Sequence, residues 1–341
     1  MAHDWLLVET LGMDGPDGEP VVVAQGDQLK NLVPLGVFLR RNPAVDVFRK
    51  AVADTIAGGV AVRRHTDADR RMVHTEPVVM SDGRVHGVHI WVGPTDARPP
   101  QRPLPGPLLW DLTTGRATDT PQSLANSGMD PDVEKTHDRT FAQDMPTRAL
   151  QADETEVLAL AVNNRPGRTY CNTWDVPDRD GAIITVGFVA RTALERSADG
   201  TEHLVARAMN WRSSRPGPVT PQDTLAQRIL DSLARPGSYR ALVDINTWTL
   251  LRWLDEPCPL YDWQGRSDTR WVHPDDVPLL AEMTAELDSG VTERVLRLPG
   301  LDTEWVPLHV TVHRVQLEPG TFAGMITMRT PTAAELTPST P

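Results

Sequence analysis

Proline divides this chain. The stretch Arg98-Pro99-Pro100-Gln101-Arg102-Pro103-Leu104-Pro105-Gly106-Pro107 cannot donate a full ladder of hydrogen bonds, so it reads as a stiff linker between folded pieces. A second cluster, Arg215-Pro216-Gly217-Pro218-Val219-Thr220-Pro221, marks another joint. These cuts leave three pieces of similar size in a chain of 341 residues, which is too long for one ordinary core. They predict domains over residues 1–97, 98–216 and 217–331, the last with a linker helix at its start. The polar stretch 332–341 is expected to be a disordered tail.

The pieces share one order of elements. Two short strands open each: Trp5–Leu11 with Val21–Gln25, Leu108–Leu112 with Ala117–Asp119, and Ala241–Ile245 with Thr249–Leu254. A helical middle follows, over Leu35–Ile56 with a break near Pro43, Pro131–Val162 with a break near Pro146, and Pro274–Leu287. A hairpin closes each piece, around Asp82-Gly83, Asp199-Gly200 and Pro319-Gly320, dipeptides that favour tight turns. Its strands are Arg71–Met80 with Val85–Val92, Ala182–Leu194 with His203–Trp211, and Trp305–Leu317 with Phe322–Met328. Tight turns between successive strands exclude one continuous parallel sheet, which needs crossovers. The predicted fold class is α+β: three tandem small domains, each an antiparallel sheet with helices on one face.

Between the second and third pieces, Thr220 suits a helix N-cap, Pro221 the first helical position and Asp223 the positive end of the dipole. Leu225, Ile229 and Leu233 recur every four residues and form one apolar stripe. Such a helix packs on its own domain or, alternatively, couples domains or pairs two chains as a homodimer.

Composition narrows the function classes. The net charge of −12 disfavours nucleic acid and anionic membrane surfaces. No stretch approaches 18 apolar residues, so an integral membrane protein is not expected. The start, Met1-Ala2-His3-Asp4-Trp5, lacks the pattern of a signal peptide, and the expected location is the cytoplasm. Cys171 and Cys258 have neither disulfide-framework nor zinc spacing, and both read as inert thiols. No GxSxG, Walker A, HExxH or GxGxxG sequence occurs, so no enzyme class and no cofactor is implied.

Local motifs point to structure more than to chemistry. Asp178-Arg179-Asp180-Gly181 lacks the flanking carboxylates of a calcium loop and reads as a strand-to-strand turn. His309 and His313 share a strand face about 14 Å apart, too far for one metal, and are expected on the surface. His86 and His89 are predicted to point to opposite faces. His273 precedes Pro274 and suits a helix start. The third piece is rich in tryptophan, and Trp253, Trp263 and Trp271, with His273, are the candidate lining of a ligand pocket.

Tyr239-Arg240-Ala241-Leu242-Val243-Asp244, then Trp271-Val272-His273-Pro274-Asp275-Asp276-Val277 leading into a helix that ends at Asp288-Ser289-Gly290, resembles a PAS domain. Asp4-Trp5-Leu6-Leu7-Val8-Glu9-Thr10-Leu11-Gly12, Thr75-Glu76-Pro77-Val78-Val79-Met80-Ser81-Asp82-Gly83 and Asp119-Thr120-Pro121-Gln122-Ser123-Leu124-Ala125-Asn126-Ser127-Gly128-Met129 resemble a mycobacterial-type, actinobacterial triple sensor-domain family, PAS–GAF–PAS. The resemblance implies a stand-alone sensory protein that binds a small ligand, partner proteins or both, without an output domain. The alternatives are a scaffold of degenerate sensor domains, and an enzyme with an unrecognised site built from Asp175, Asp178, Asp180 and His137.

Overall fold

The structure is a computed structural model that describes residues 4–13, 18–66, 71–144, 154–162, 165–214, 225–264, 272–302 and 304–336. Among them are three antiparallel sheets of six, six and five strands. The first comprises β1 (Leu6–Glu9), β2 (Val21–Gln25), β3 (Gln28–Pro34), β4 (Val62–His65), β5 (Arg71–Val79) and β6 (Val85–Pro94), in the order β3-β2-β1-β6-β5-β4. The second comprises β7 (Gly106–Asp111), β8 (Arg116–Thr118), β9 (Arg139–Thr140), β10 (Thr169–Pro177), β11 (Ile183–Arg196) and β12 (Glu202–Arg212), in the order β10-β11-β12-β7-β8-β9. The third comprises β13 (Ser238–Val243), β14 (Leu250–Trp253), β15 (Val291–Pro299), β16 (Trp305–Glu318) and β17 (Thr321–Arg329), in the order β14-β13-β17-β16-β15. The helices are short: α1 (Leu35–Phe38), α2 (Val45–Gly58), α3 (Pro121–Asn126), α4 (Phe141–Asp144), α5 (Glu154–Val162), α6 (Leu225–Leu233) and α7 (Val277–Glu286). The fold is therefore richer in sheet than the α+β reading anticipates.

By contact the chain gathers into two compact units. One holds Met1–Trp110, Thr118–His137 and Arg165–Val219; the other holds Asp111–Ala117, Asp138–Asn164 and Thr220–Pro341.

In the first unit, the first sheet is covered on both faces. Phe48, Ala51, Val52 and Thr55 recur at helical spacing and turn one side of α2 onto Leu6, Val8, Val73, Val88 and Ile90. Thr55 Oγ1 donates to Ala51 O and also lies 2.5 Å from Thr75 Oγ1, tying helix to strand. The helix stops at Gly59, whose positive φ of 63° lets its N–H reach Thr55 O. The other face, with Leu7, Val23, Ala24 and Val78, packs on Val189, Met209 and Trp211 of β11 and β12. Gly87 makes this approach possible. A Cβ there would lie 2.6 Å from both Met209 Cε and the carbonyl oxygen of Val8.

Charges lace the same junction. Arg207 on β12 donates to both carboxylate oxygens of Glu195 (2.6 and 2.7 Å) and pairs with Asp82 at 2.7 Å. His86 Nδ1 donates to Ala208 O (2.9 Å), leaving Nε2 to accept from Arg207 Nη1 (3.0 Å). Buried Glu9 accepts from Arg191 through both oxygens. The proline-rich linker belongs to this unit too. Trp5 Nε1 donates to Pro100 O, and Arg102 sits over the Trp5 ring while pairing with Glu76.

His86 and His89 depart from the simple alternation. The pairing of β5 with β6 skips from Val78↔Gly87 to Val79↔Val85, so His86 is the extra residue of a bulge. Both imidazoles are buried, His89 edge-on to the Trp5 ring.

The predicted helix over Pro131–Val162 is corrected. Asp130 Oδ1 accepts from the Asp132 N–H, and this local turn competes with helix. Among the described residues, only α4 and α5 are helical there, and both fall in the second unit. Ala142 of α4 joins the core of Trp253, Cys258, Tyr261, Val272, Met283 and Leu298. α5 lies against β16 and β17, with Val157 through Val162 all buried. The surface position expected for His309 is also corrected. It is 8% exposed, because the turn after β17 brings Glu335 to 3.5 Å from its Nε2. His313 is exposed. That turn spans residues of the expected disordered tail: Glu335 accepts from Arg329 and from the Thr332 N–H. Residues 337–341 lie outside the described residues.

Of the linker helix, α6 is described from Leu225, so the Thr220 cap lies outside the described residues. Ile229 and Leu233 of its stripe are exposed. Among the described residues, no helix is long and apolar enough to cross a membrane.

Candidate functional site

A cavity of about 650 Å³ opens between the first sheet and its helices. Leu6 of β1 and Ile90 and Val92 of β6 form its floor, and Phe48 of α2 with Phe38 and Leu39 at the end of α1 forms its wall. Pro43 explains the space. It cannot continue a helix from α1, and Asn42 Oδ1 accepts from the Ala44 N–H, turning the chain before α2 begins. The break leaves a strip of sheet without helix above it. Asp4, Gln25, Arg41, Asn42, Thr66 and Arg71 supply the polar part of the lining. This is the size and make-up of a small-molecule pocket, apolar with a few polar groups.

The residues singled out in the third piece are partly brought together. Trp253 on β14 is fully buried, 5.9 Å from the Trp263 ring in an edge-on arrangement and 6.4 Å from Tyr261. Its indole N–H is buried and has no hydrogen-bond partner among the described residues. His273 does not join them. It caps the helical turn Pro274–Asp276 by accepting from the Asp275 N–H, and its ring meets Trp305 at 5.0 Å. Asp276 follows, and burial pushes its carboxyl up. Hydrogen bonds from the Arg297 side chain and backbone outweigh that and hold it below the usual carboxylate range. Trp271 lies outside the described residues.

Other candidates are engaged locally. Asp178 Oδ1 accepts from the backbone of Asp180 and Ala182, closing the strand turn, and Asp175 accepts from Thr185 Oγ1. His137 Nδ1 meets Thr136 Oγ1. Burial pushes the Cys171 thiol up to about 12 and raises that of Cys258, which keeps both protonated at neutral pH. Among the described residues, no group of three or more His, Cys, Asp or Glu side chains is placed to hold a metal ion.

The first-sheet cavity carried no sequence signal of its own. Its lining comes from both ends of the piece, and only the Asn42-Pro43 break hinted at it.

Three sheets in sequence, one of them roofed by an interrupted helix over an apolar cavity, define a triple-domain protein. Sequence models described as Rv3651-like, N-terminal; Rv3651-like, middle domain; and Rv3651-like, C-terminal domain match residues 4–101, 104–213 and 223–339. The chain belongs to the Rv3651-like family. A crystal structure of an uncharacterized protein from Mycobacterium tuberculosis is 53% identical, with 98% of each chain covered and a TM-score of 0.88. A sensory box histidine kinase/response regulator from Burkholderia thailandensis E264 aligns at 17% identity over 38% of this chain and 84% of its own, with a TM-score of 0.23. An RNA-binding light-oxygen-voltage receptor aligns at 9% identity over 66% and 92%, also with a TM-score of 0.23. Likenesses of that size fix neither fold nor function. No curated protein matches the chain.

Proposed function

We propose that this chain is a cytoplasmic, non-catalytic sensory protein of PAS–GAF–PAS type. Its first domain, residues 1–97, holds a small and mostly apolar ligand between sheet and helices. The middle domain, 98–216, is GAF-like, and 217–331 is a second PAS domain. The signal leaves by contact with a partner protein.

One observation carries this reading: the cavity of about 650 Å³ with its floor of Leu6, Ile90 and Val92. The packing around it supports a route outward. β1 and β6 supply the floor, and the same strands carry Leu7 and Gly87 in the layer against Met209 and Trp211. A ligand that favours one spacing of these layers shifts the population of that spacing.

The test uses N-phenyl-1-naphthylamine, a neutral apolar dye that fluoresces when buried. Saturable binding is expected in the wild type and should be lost in Val92→Trp, which fills the floor, with the melting temperature retained. Absence of saturable binding to the wild type, or equal binding to the variant, would sink the proposal.

A second pocket is favoured by the orphaned indole N–H of Trp253, a buried donor that an acceptor on a ligand would satisfy. In this reading Trp253 and Trp263 line it. Trp253→Phe should then weaken any small molecule that co-purifies with the third domain, as read by native mass spectrometry.

A further inference from the structure

We propose that the ligand of the first-sheet cavity is an amphiphilic anion, an apolar body with a negatively charged head. The inference rests on reading that cavity as a ligand site and adds the chemical class.

The head group is argued from the mouth. Arg41 and Arg71 both line the cavity and are exposed. Among the described residues, neither guanidinium has a carboxylate partner. The other arginines of the domain divide. Arg49 pairs with Glu19, Arg64 with Asp54 and Arg84 with Glu195, whereas Arg63 meets His74 and, like Arg40, has no carboxylate partner among the described residues. Asp4 is the one acid among the described lining residues, against the two arginines. This stands out on a chain whose net charge is −12, because an anion approaching elsewhere meets a repulsive field.

The body is argued from the floor. Leu6, Ile90 and Val92 offer no polar side-chain atom, so a ligand that is charged throughout would lose its hydration there without replacement. A head held by guanidinium groups at the rim and an apolar tail inside satisfies both regions. Arginine presents donors in a fork that suits carboxylate and phosphate alike, so the shared chemistry is the oxyanion head.

The experiment is competition against bound N-phenyl-1-naphthylamine at low salt and neutral pH, on the full chain. Four ten-carbon probes are compared: decanoate, decyl phosphate, decanol and decyltrimethylammonium. At least one anion is expected to displace the dye at about tenfold lower concentration than decanol, the scale of one charge-assisted hydrogen bond. The tighter anion identifies the head group. In the double variant Arg41→Gln, Arg71→Gln the preference for the anion should disappear while decanol is unaffected. Asp4→Asn should strengthen it. If the dye binds but decanol or the cation competes as well as both anions, the anionic class is wrong and the cavity reading stands. If neither the dye nor any alkyl probe binds, both fall. Loss of decanol binding in the double variant would also overturn the assignment of those arginines to the head group.

Discussion

His86 and His89 are the residues at which environment departs most from sequence. Both sit in a strand that reads as an ordinary hairpin partner, yet both are buried. Burial is the main cause in each case. It lowers His86 to about 4, assisted by the positive Arg207 and opposed by the hydrogen bond to Ala208 O. It lowers His89 to about 3, with Arg102 adding to the effect. An unfolded histidine titrates near ~6.5. The folded values lie below that, so the unfolded chain takes up protons first as the pH falls. The stability these groups contribute is complete above the unfolded value and is lost on acidification toward the folded values. The unfolding free energy read from urea titrations should therefore fall between pH 7 and pH 5, by up to about 1.4 kcal/mol per pH unit for each histidine at the steepest point. His89→Leu should flatten the slope by about half, since one of two such groups is removed. A profile that is level across this window would refute the assignment. The bulge that buries His86 left no mark in the sequence, because one extra residue in a strand changes neither composition nor turn chemistry.

At the scale of elements, turns and central strands were readable and most edges were not. Asp82-Gly83, Asp199-Gly200 and Pro319-Gly320 each lie in the short connection of a hairpin, with positive φ at every glycine. No strand was anticipated at β3 or β4, and β10 was implied only by the turn that follows it. All three are at sheet edges. Edge strands carry polar and charged residues to discourage further pairing, and Val62-Arg63-Arg64-His65 is such a segment. The same blurring hid the face-to-face stacking of the first two sheets, since a sheet covered on both faces loses its alternation. Gly87 tests that stacking. A methyl group there would lie 2.6 Å from Met209 Cε across the layers and equally close to the Val8 carbonyl of its own sheet. Gly87→Ala should cost about 1–3 kcal/mol, as overpacking does, read as a lowered urea midpoint. An unchanged midpoint would mean that Gly87 does not meet Met209 and Val8 as closely as described.

The whole molecule is organised differently from its sequence order. Three family models follow one another along the chain, but α4 and α5, inside the middle match, pack with the third sheet. Ala142 enters that core and α5 lies on β16 and β17. A fragment of residues 223–339 alone is therefore missing part of its own cover. It should expose apolar surface, bind an apolar dye and melt without a sharp transition, whereas the full chain melts cooperatively. A cooperative melt of the isolated fragment would show that α4 and α5 are dispensable to the third sheet.

Proline clusters, turn dipeptides and alternating strands were enough to divide the chain into three antiparallel pieces, because those signals act over a few residues and depend on backbone geometry alone. The ownership of α4 and α5, the burial of His86, His89 and His309, and the cavity above Leu6, Ile90 and Val92 depended on contacts between segments far apart in the chain. Such contacts are chosen by complementary shape and by burial of apolar surface, which no local pattern encodes. The tertiary structure therefore moved the leading candidate site from the tryptophans of the third piece to the gap beside Pro43 in the first.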